Sequence, residues 1–214
     1  MNPWIVVPTL GNRDASLVTL LRAAQMPSVV VWTHPEGATD DISPELWESS
    51  GSFVIDPADP MNIQRWWNAG IEHAVQQGAD IVVVTNDDIS AEPGALLELA
   101  AHIEPGAEGS PMLVWPEDTA HASTRVTGIT GYCFALDPAR IRPDEAFSWW
   151  WGDHDLELRA RAMQPDGGAM AVDVPGIRHL RTDYRYDRPV THLIDADRRL
   201  FARRYPALMG GWPA

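Results

Sequence analysis

The sequence predicts an α/β fold: a mostly parallel central sheet flanked by helices, in a single domain. Three observations carry this. Short apolar runs rich in valine and isoleucine alternate with stretches where leucine, isoleucine and alanine recur at helical spacing. Each early apolar run closes, within a residue or two, on proline, asparagine or aspartate, which turn a chain. A length of 214 residues, nearly half of them apolar, suits one domain or one domain with a short appendage.

Taken in order, Ile5-Val6-Val7, ended by Pro8, predicts the first buried strand. Gly11-Asn12-Arg13-Asp14 is a turn with helix-capping residues, and Leu17, Leu20, Leu21 and Ala24 mark the helix after it. Val29-Val30-Val31-Trp32 is a second strand, closed by His34-Pro35-Glu36-Gly37, and residues 52–55 are a third, followed by a loop from Asp56 to Pro60. A helix over 62–77 places Ile63, Trp66, Trp67, Ile71, Ala74 and Val75 on its apolar side. Gly78-Ala79-Asp80 ends it and leads into Ile81-Val82-Val83-Val84, the strongest strand in the chain. Asn86-Asp87-Asp88 follows directly, and Pro93 begins a helix carrying Leu96, Leu99, Ala100 and Ile103. Strands alternating with helices imply a parallel sheet covered on both faces. Ligands bind such sheets outside the carboxyl ends of their strands, where Asn86-Asp87-Asp88 lies.

The second half is less regular. Strands are expected at 112–115, at the glycine-punctuated stretch 128–136, and at 169–174, with a helix over 156–163. Val190, Leu193, Ile194, Leu200 and Phe201 form a stripe at helical period. No repeat or linker interrupts the chain. The expected organisation is one domain over 1–189, with a C-terminal helix and tail, 190–214, packed on it.

The formal charge is −14, and there is no lysine. Only Arg13, Arg22 and Arg65 precede Ser110, whereas eight arginines fall between Arg178 and Arg204. Such acidity argues against broad nucleic-acid binding, which relies on neutralising phosphates. The late arginines suit either a local anion site or a solvated face. No apolar run approaches the roughly 18–20 residues that span a bilayer, so stable membrane insertion is not expected. No basic residue precedes the apolar start, so a signal peptide is not expected either. Cys133, the one cysteine, has no internal partner, which makes a reducing cytoplasm the expected compartment.

Three groups of residues offer chemistry. Asn86-Asp87-Asp88 sets two carboxylates on a strand-to-loop corner. Magnesium and manganese typically bind through one or two carboxylates plus substrate phosphates. The competing reading is a plain turn and helix cap. Asp153 and Asp155 follow Trp149-Trp150-Trp151-Gly152. An acid beside large rings makes a reasonable general base, although one of the pair is also suited to cap a helix starting near Leu156. Three consecutive tryptophans cannot all face inward, so at least one should be free to stack on a sugar ring. His179 offers a metal ligand or phosphate contact, or is simply structural.

Five segments in register resemble glycosyltransferase family 2 and its GT-A relatives. They are Val6-Val7-Pro8-Thr9; Asn68-Ala69-Gly70-Ile71; Val83-Val84-Thr85-Asn86-Asp87-Asp88-Ile89 with Glu92-Pro93-Gly94-Ala95-Leu96; Thr130-Gly131-Tyr132-Cys133-Phe134 with Asp144-Glu145-Ala146-Phe147; and Asp153-His154-Asp155-Leu156-Glu157-Leu158-Arg159. A late histidine matches His179, and the similarity spans roughly residues 5–179. The resemblance implies a GT-A, Rossmann-like fold and a metal-dependent, inverting transfer of sugar from a nucleoside-diphosphate sugar to an acceptor hydroxyl. It implies a divalent cation, Mn2+ or Mg2+, held by Asp88 and His179. Pro8 and Thr9 would begin the nucleotide site, with Asn12 and Arg13 near the nucleobase. Asp56 is another base contact, Asp87 lies by the ribose or diphosphate, and Asn68 and Gly131 complete the donor site. Asp153 takes the place of the catalytic base, while Asp155 and Arg159 orient the loop.

Two departures stand out: the metal motif starts with Asn86, and Gly152 stands where many members have glutamate. The sequence does not name the acceptor among a glycan, a protein side chain, a small molecule or a modified nucleobase, and the acidity disfavours nucleic acid. The alternative is a module that binds nucleotide or carbohydrate on the same fold without catalysis. A nucleotidyltransferase ranks last, since Leu10-Gly11-Asn12-Arg13 poorly matches a glycine-rich basic loop.

Overall fold

The structure is a computed structural model that describes residues 1–11, 14–33, 42–56, 60–117, 127–129, 131–180 and 190–209. In chain order its elements are β1 (Pro3–Thr9), α1 (Asp14–Ala24), β2 (Ser28–Trp32), α2 (Pro44–Ser49), β3 (Ser52–Ile55), α3 (Ile63–Gln76), β4 (Ile81–Thr85), β5 (Ile89–Ala91) and α4 (Ala95–Ala101). There follow β6 (Leu113–Pro116), β7 (Cys133–Leu136), α5 (Gly152–Met163), β8 (Ala169–Val172), β9 (Ile177–His179), α6 (Thr191–Arg204) and a 3-10 turn at Pro206–Leu208.

Seven strands form one sheet in the order β3-β2-β1-β4-β7-β6-β8. Strands β3, β2, β1 and β4 are parallel neighbours, as are β6 and β8, while β7 runs antiparallel between β4 and β6. Ile5, Val7, Val30 and Val83 face Leu17, Leu20, Leu96 and Leu99 of α1 and α4. Val6, Val31, Val82 and Val84 face Trp66, Trp67 and Ile71 of α3 and Leu156 of α5. Burial on both faces is why these strands read as unbroken apolar runs rather than alternating ones. Gly70 lets α3 sit close to the sheet, since a Cβ there would lie 2.3 Å from Val6 Cγ1 and 2.8 Å from Val31 Cγ2.

Several elements differ from expectation. The strand expected over 128–136 is confined to Cys133–Leu136, because the chain turns at residues 131–132 before entering the sheet. Helix α5 begins at Gly152, four residues ahead of Leu156, so Asp153 and Asp155 lie in its first turn and neither side chain caps it; the capping position is Trp151, in a left-handed conformation. Helix α2 is additional, capped by Ser43 with Pro44 in its first turn. A separate ribbon, β5 paired antiparallel with β9, is also additional. Among the described residues no helix is long and apolar enough to cross a membrane.

Candidate active site

The carboxyl ends of β1 and β4 are neighbours in the parallel sheet, which brings Thr9 and Asp87 together. The buried Thr9 hydroxyl donates to Asp87 Oδ2 at 2.7 Å and accepts the Gly11 N–H at 3.1 Å. Gly11 has φ 79, and a Cβ there would lie 2.4 Å from the Trp32 indole, so the turn leaving β1 needs glycine on both counts. Asn12 and Arg13, expected by the nucleobase, lie outside the described residues. Pro8 is buried within β1 opposite Val31.

Past β4 the chain is pinned from two sides. The Asn86 N–H donates to the Tyr132 carbonyl at 2.9 Å, and the Asp88 carbonyl accepts the Leu180 N–H at 2.7 Å. Residue 180 reaches Asp88 because β5 and β9 pair with Ile89 opposite His179. His179 Nε2 then lies 3.1 Å from Asp88 Oδ2, and its ring stacks on Tyr132 with centroids 4.9 Å apart and planes within 3°. The other Asp88 oxygen, Oδ1, is buried without a hydrogen-bond partner among the described residues. A buried carboxylate oxygen left unpaired is costly, and a hard divalent cation would satisfy it. The donor set, one carboxylate and one imidazole, is of the kind such ions take when substrate phosphates supply the rest. Among the described residues no cluster of three or more histidine, cysteine, aspartate or glutamate side chains offers an all-protein cage.

Asp153 joins this group through Gly131. A Cβ on Gly131 would lie 3.0 Å from Asp153 Oδ2 and 3.3 Å from its Cβ, so the bare backbone there leaves the carboxylate its place. Asp153 Oδ1 accepts the His154 N–H at 2.9 Å. Asp153 thus abuts Gly131, whose neighbour Tyr132 stacks on His179, which reaches Asp88. These contacts form one chain of neighbours from Asp153 to Asp88.

The remaining expected residues are placed differently. Asp56 follows β3 at the same sheet edge, its N–H donating to Trp32 and its carboxylate paired with Arg65 at 2.7 Å. Asn68 is engaged elsewhere, its amide donating to the Pro143 carbonyl at 3.0 Å and to Glu145 at 2.9 Å. Asp155 is fully buried and accepts from Arg159 at 2.7 Å and from Arg204 and Tyr205 at 2.9 Å each. Burial first, and then donation to Asp155, push the Tyr205 phenol up to about 12, so it stays a donor through neutral pH. Of the three tryptophans, Trp151 is buried against Phe201, Trp149 meets Trp66 edge-on, and Trp150 is 46% exposed.

Two residues here carry no signal in the motifs. Gln64, 1% exposed, fills the space beside Gly152: a Cβ at 152 would lie 2.5 Å from its Cδ and Nε2. A side chain at that position would require the Gln64 carboxamide to move, which suits the glycine found there. Asp197, on α6, accepts backbone N–H groups from the tryptophan segment.

No protein-family model matches the chain, and no curated protein matches it. Solved structures do. The chain is similar to glucosyl-3-phosphoglycerate synthase from Mycobacterium tuberculosis in complex with Mn2+, uridine diphosphate and phosphoglyceric acid, with TM-score 0.64 and 16% identity over 99% of this chain and 79% of that one. The same synthase with Mn2+, uridine-diphosphate-glucose and phosphoglyceric acid gives TM-score 0.62 at 16% identity, over 99% and 80% of the two chains. With Mg2+ and uridine diphosphate it gives 0.61 at 15% identity, again over 99% and 80%. The likeness is one of fold: this chain has the GT-A glycosyltransferase fold.

Proposed function

We propose that the chain is an inverting glycosyltransferase that uses a nucleoside-diphosphate sugar, with a divalent cation at Asp88 and His179. The observation that carries the reading is the Asp88 carboxylate: one oxygen is buried and unpartnered among the described residues, the other lies 3.1 Å from His179, and both sit beyond the end of β4. The similar synthase structures, which hold Mn2+ or Mg2+ with uridine diphosphate or its glucose conjugate, support testing uridine nucleotides first.

When bound, the cation would neutralise charge developing on the diphosphate as it leaves. Asp87, held by Thr9, would border the donor, and Asp56, paired with Arg65, would contact the nucleobase. Asp153 takes the proton from the acceptor hydroxyl while that oxygen bonds to the anomeric carbon. The bond from that carbon to the diphosphate oxygen breaks on the opposite face, and the electron pair leaves with the nucleoside diphosphate. The exposed Trp150 offers an apolar face for the acceptor. Phosphoglyceric acid, present in the similar synthase complexes, is the first acceptor to try.

The test is calorimetric titration of uridine diphosphate with and without manganese, paired with nucleotide release from uridine-diphosphate-glucose. Binding should require manganese, be abolished by a chelator, and be weakened at least tenfold in Asp88→Ala. Equal affinity in wild type and Asp88→Ala, with manganese present, would remove Asp88 from the donor site and the reading with it.

A further inference from the structure

Between Phe147 and Gly152 the backbone closes around a side chain distant in sequence. The buried Asp197 carboxylate accepts the Ser148 N–H at 2.9 Å on Oδ1 and 3.1 Å on Oδ2, and on Oδ2 also the Trp149 N–H at 2.7 Å and the Trp150 N–H at 3.0 Å. Successive N–H groups of this kind form an anion-binding concavity, and charge strengthens each bond. The protein fills this concavity with its own carboxylate.

The next residue, Trp151, has φ 70 and ψ −14. A bulky side chain keeps a left-handed conformation only where its surroundings over-determine it. Helix α5 starts immediately afterwards, with no side-chain cap, and Asp153 is its second residue. Further contacts from the same C-terminal segment hold this turn. Phe201 packs on Trp151 with centroids 4.9 Å apart, while Arg204 and Tyr205 donate to Asp155, two residues beyond Asp153. Helix α6 and the residue after it thus hold the first turn of α5 from both ends.

We propose that α6 positions the base, with Asp197 as the principal positioning residue: by fixing residues 148–150 it forces Trp151 left-handed, sets the start of α5 and aims the Asp153 carboxylate at the space beside Gly131. This rests on the reading of Asp153 as base. A purely structural Asp197 would lower thermal stability and change turnover only in proportion to unfolded protein. A positioning Asp197 lowers kcat in fully folded protein, since a misplacement of about 1 Å costs up to roughly 100-fold.

The experiment compares wild type, Asp153→Asn, Asp197→Asn and, as a charge-loss control on the same helix, Asp195→Asn. Amide hydrogen exchange, uridine diphosphate affinity in manganese, and kcat and KM for nucleotide release from uridine-diphosphate-glucose are measured well below each variant's Tm. Asp197→Asn should exchange faster at Ser148, Trp149 and Trp150, bind uridine diphosphate as wild type does, keep its donor KM, and lose about 10- to 100-fold in kcat. Asp195→Asn should match wild type throughout. Faster exchange with unchanged kcat overturns the proposal, as does unchanged exchange. Should Asp197→Asn fail to fold, Tyr205→Phe loosens the same grip at Asp155, and a kcat equal to wild type there is equally fatal. A wild type that binds uridine diphosphate but releases none from the donor sinks the glycosyltransferase reading and the positioning role together. Turnover lost in Asp153→Asn but kept in Asp197→Asn sinks the positioning role alone.

Discussion

Thr9, Asp87 and Asp88 hang from the ends of β1 and β4, whose parallel pairing is set by backbone hydrogen bonds and by valines buried on both faces. Asp153 hangs instead from a helix start whose geometry is set by Asp197, Arg204 and Tyr205, roughly fifty residues further along the chain. The first arrangement resists polar substitution and is sensitive to volume, because its order comes from packing. The second carries its order in buried charge, where a satisfied network rigidifies and a broken one is expensive. The side bearing Asp88 is built like a core, and the side bearing Asp153 like a clamp.

The largest expected effect separates the chemistry of the two sides. On the proposed reading Asp153→Asn removes the group that takes the proton and leaves Asp88 and His179 untouched, so turnover should fall by about 10²–10⁴-fold. Uridine diphosphate affinity in manganese should stay at the wild-type value. Turnover within a factor of two of wild type would show that another group takes the proton.

Asp155→Ala breaks the clamp itself. It leaves Arg159, Arg204 and Tyr205 without their shared acceptor, and removing one partner of a buried pair costs about 3–5 kcal/mol. Both arginines are a third exposed and can turn to water, so the lower end, about 3 kcal/mol, is expected. For a chain of this size that lowers Tm by roughly 6–12 °C. The matching test on the donor side is Gly70→Ala, whose new methyl would press on Val6 and Val31. Overpacking costs about 1–3 kcal/mol, and alanine returns about 1 kcal/mol of helix propensity. The net loss in urea unfolding should be about 1 kcal/mol. If Gly70→Ala proved the more damaging of the two, the contrast between core and clamp would be reversed.

The same contrast governs what could be read from the amino-acid sequence. Strands β1, β2 and β4 announce themselves as unbroken runs because both faces are buried, and helix α3 by its period. The carboxylates after β4 follow from that placement alone. That His179 reaches Asp88 is implied by the family resemblance and not by local pattern, since β5 and β9 are three residues each, too short to show a period. Helix α2 is missed because its six residues are too few for a convincing apolar stripe. Gln64 and Asp197 are single polar residues on helices whose partners lie far away in sequence, and no local pattern distinguishes them from solvated ones. The early start of α5 was hidden because Trp151 in a left-handed conformation is a poor helix signal.

The outermost contact of the clamp gives the smallest effect, with a pH signature in the acid range. Asp144 is partly buried, which by itself raises its pKa. The Ala146 N–H, the hydrogen bond from Arg204 at 2.7 Å, and the charges of Arg204 and Arg159 outweigh this and hold the carboxyl below the usual aspartate range. A group whose folded-state pKa is depressed stabilises the fold above its unfolded-state value, about 3.9, and loses that contribution as pH falls through the folded-state value. Both partners are about a third exposed, so solvent screening limits the pair to about 0.2–1 kcal/mol. Asp144→Asn should therefore lower Tm by no more than about 4 °C at pH 7. The difference from wild type should shrink below about pH 4 and vanish once Asp144 is protonated in both states. Arg204 keeps its bond to Asp155 in this variant, so amide exchange at residues 148–150 should not change. A Tm difference that persisted at pH 2 would mean that Asp144 acts through packing and not through charge. Faster exchange at 148–150 would mean instead that the rim and the centre of the clamp open together.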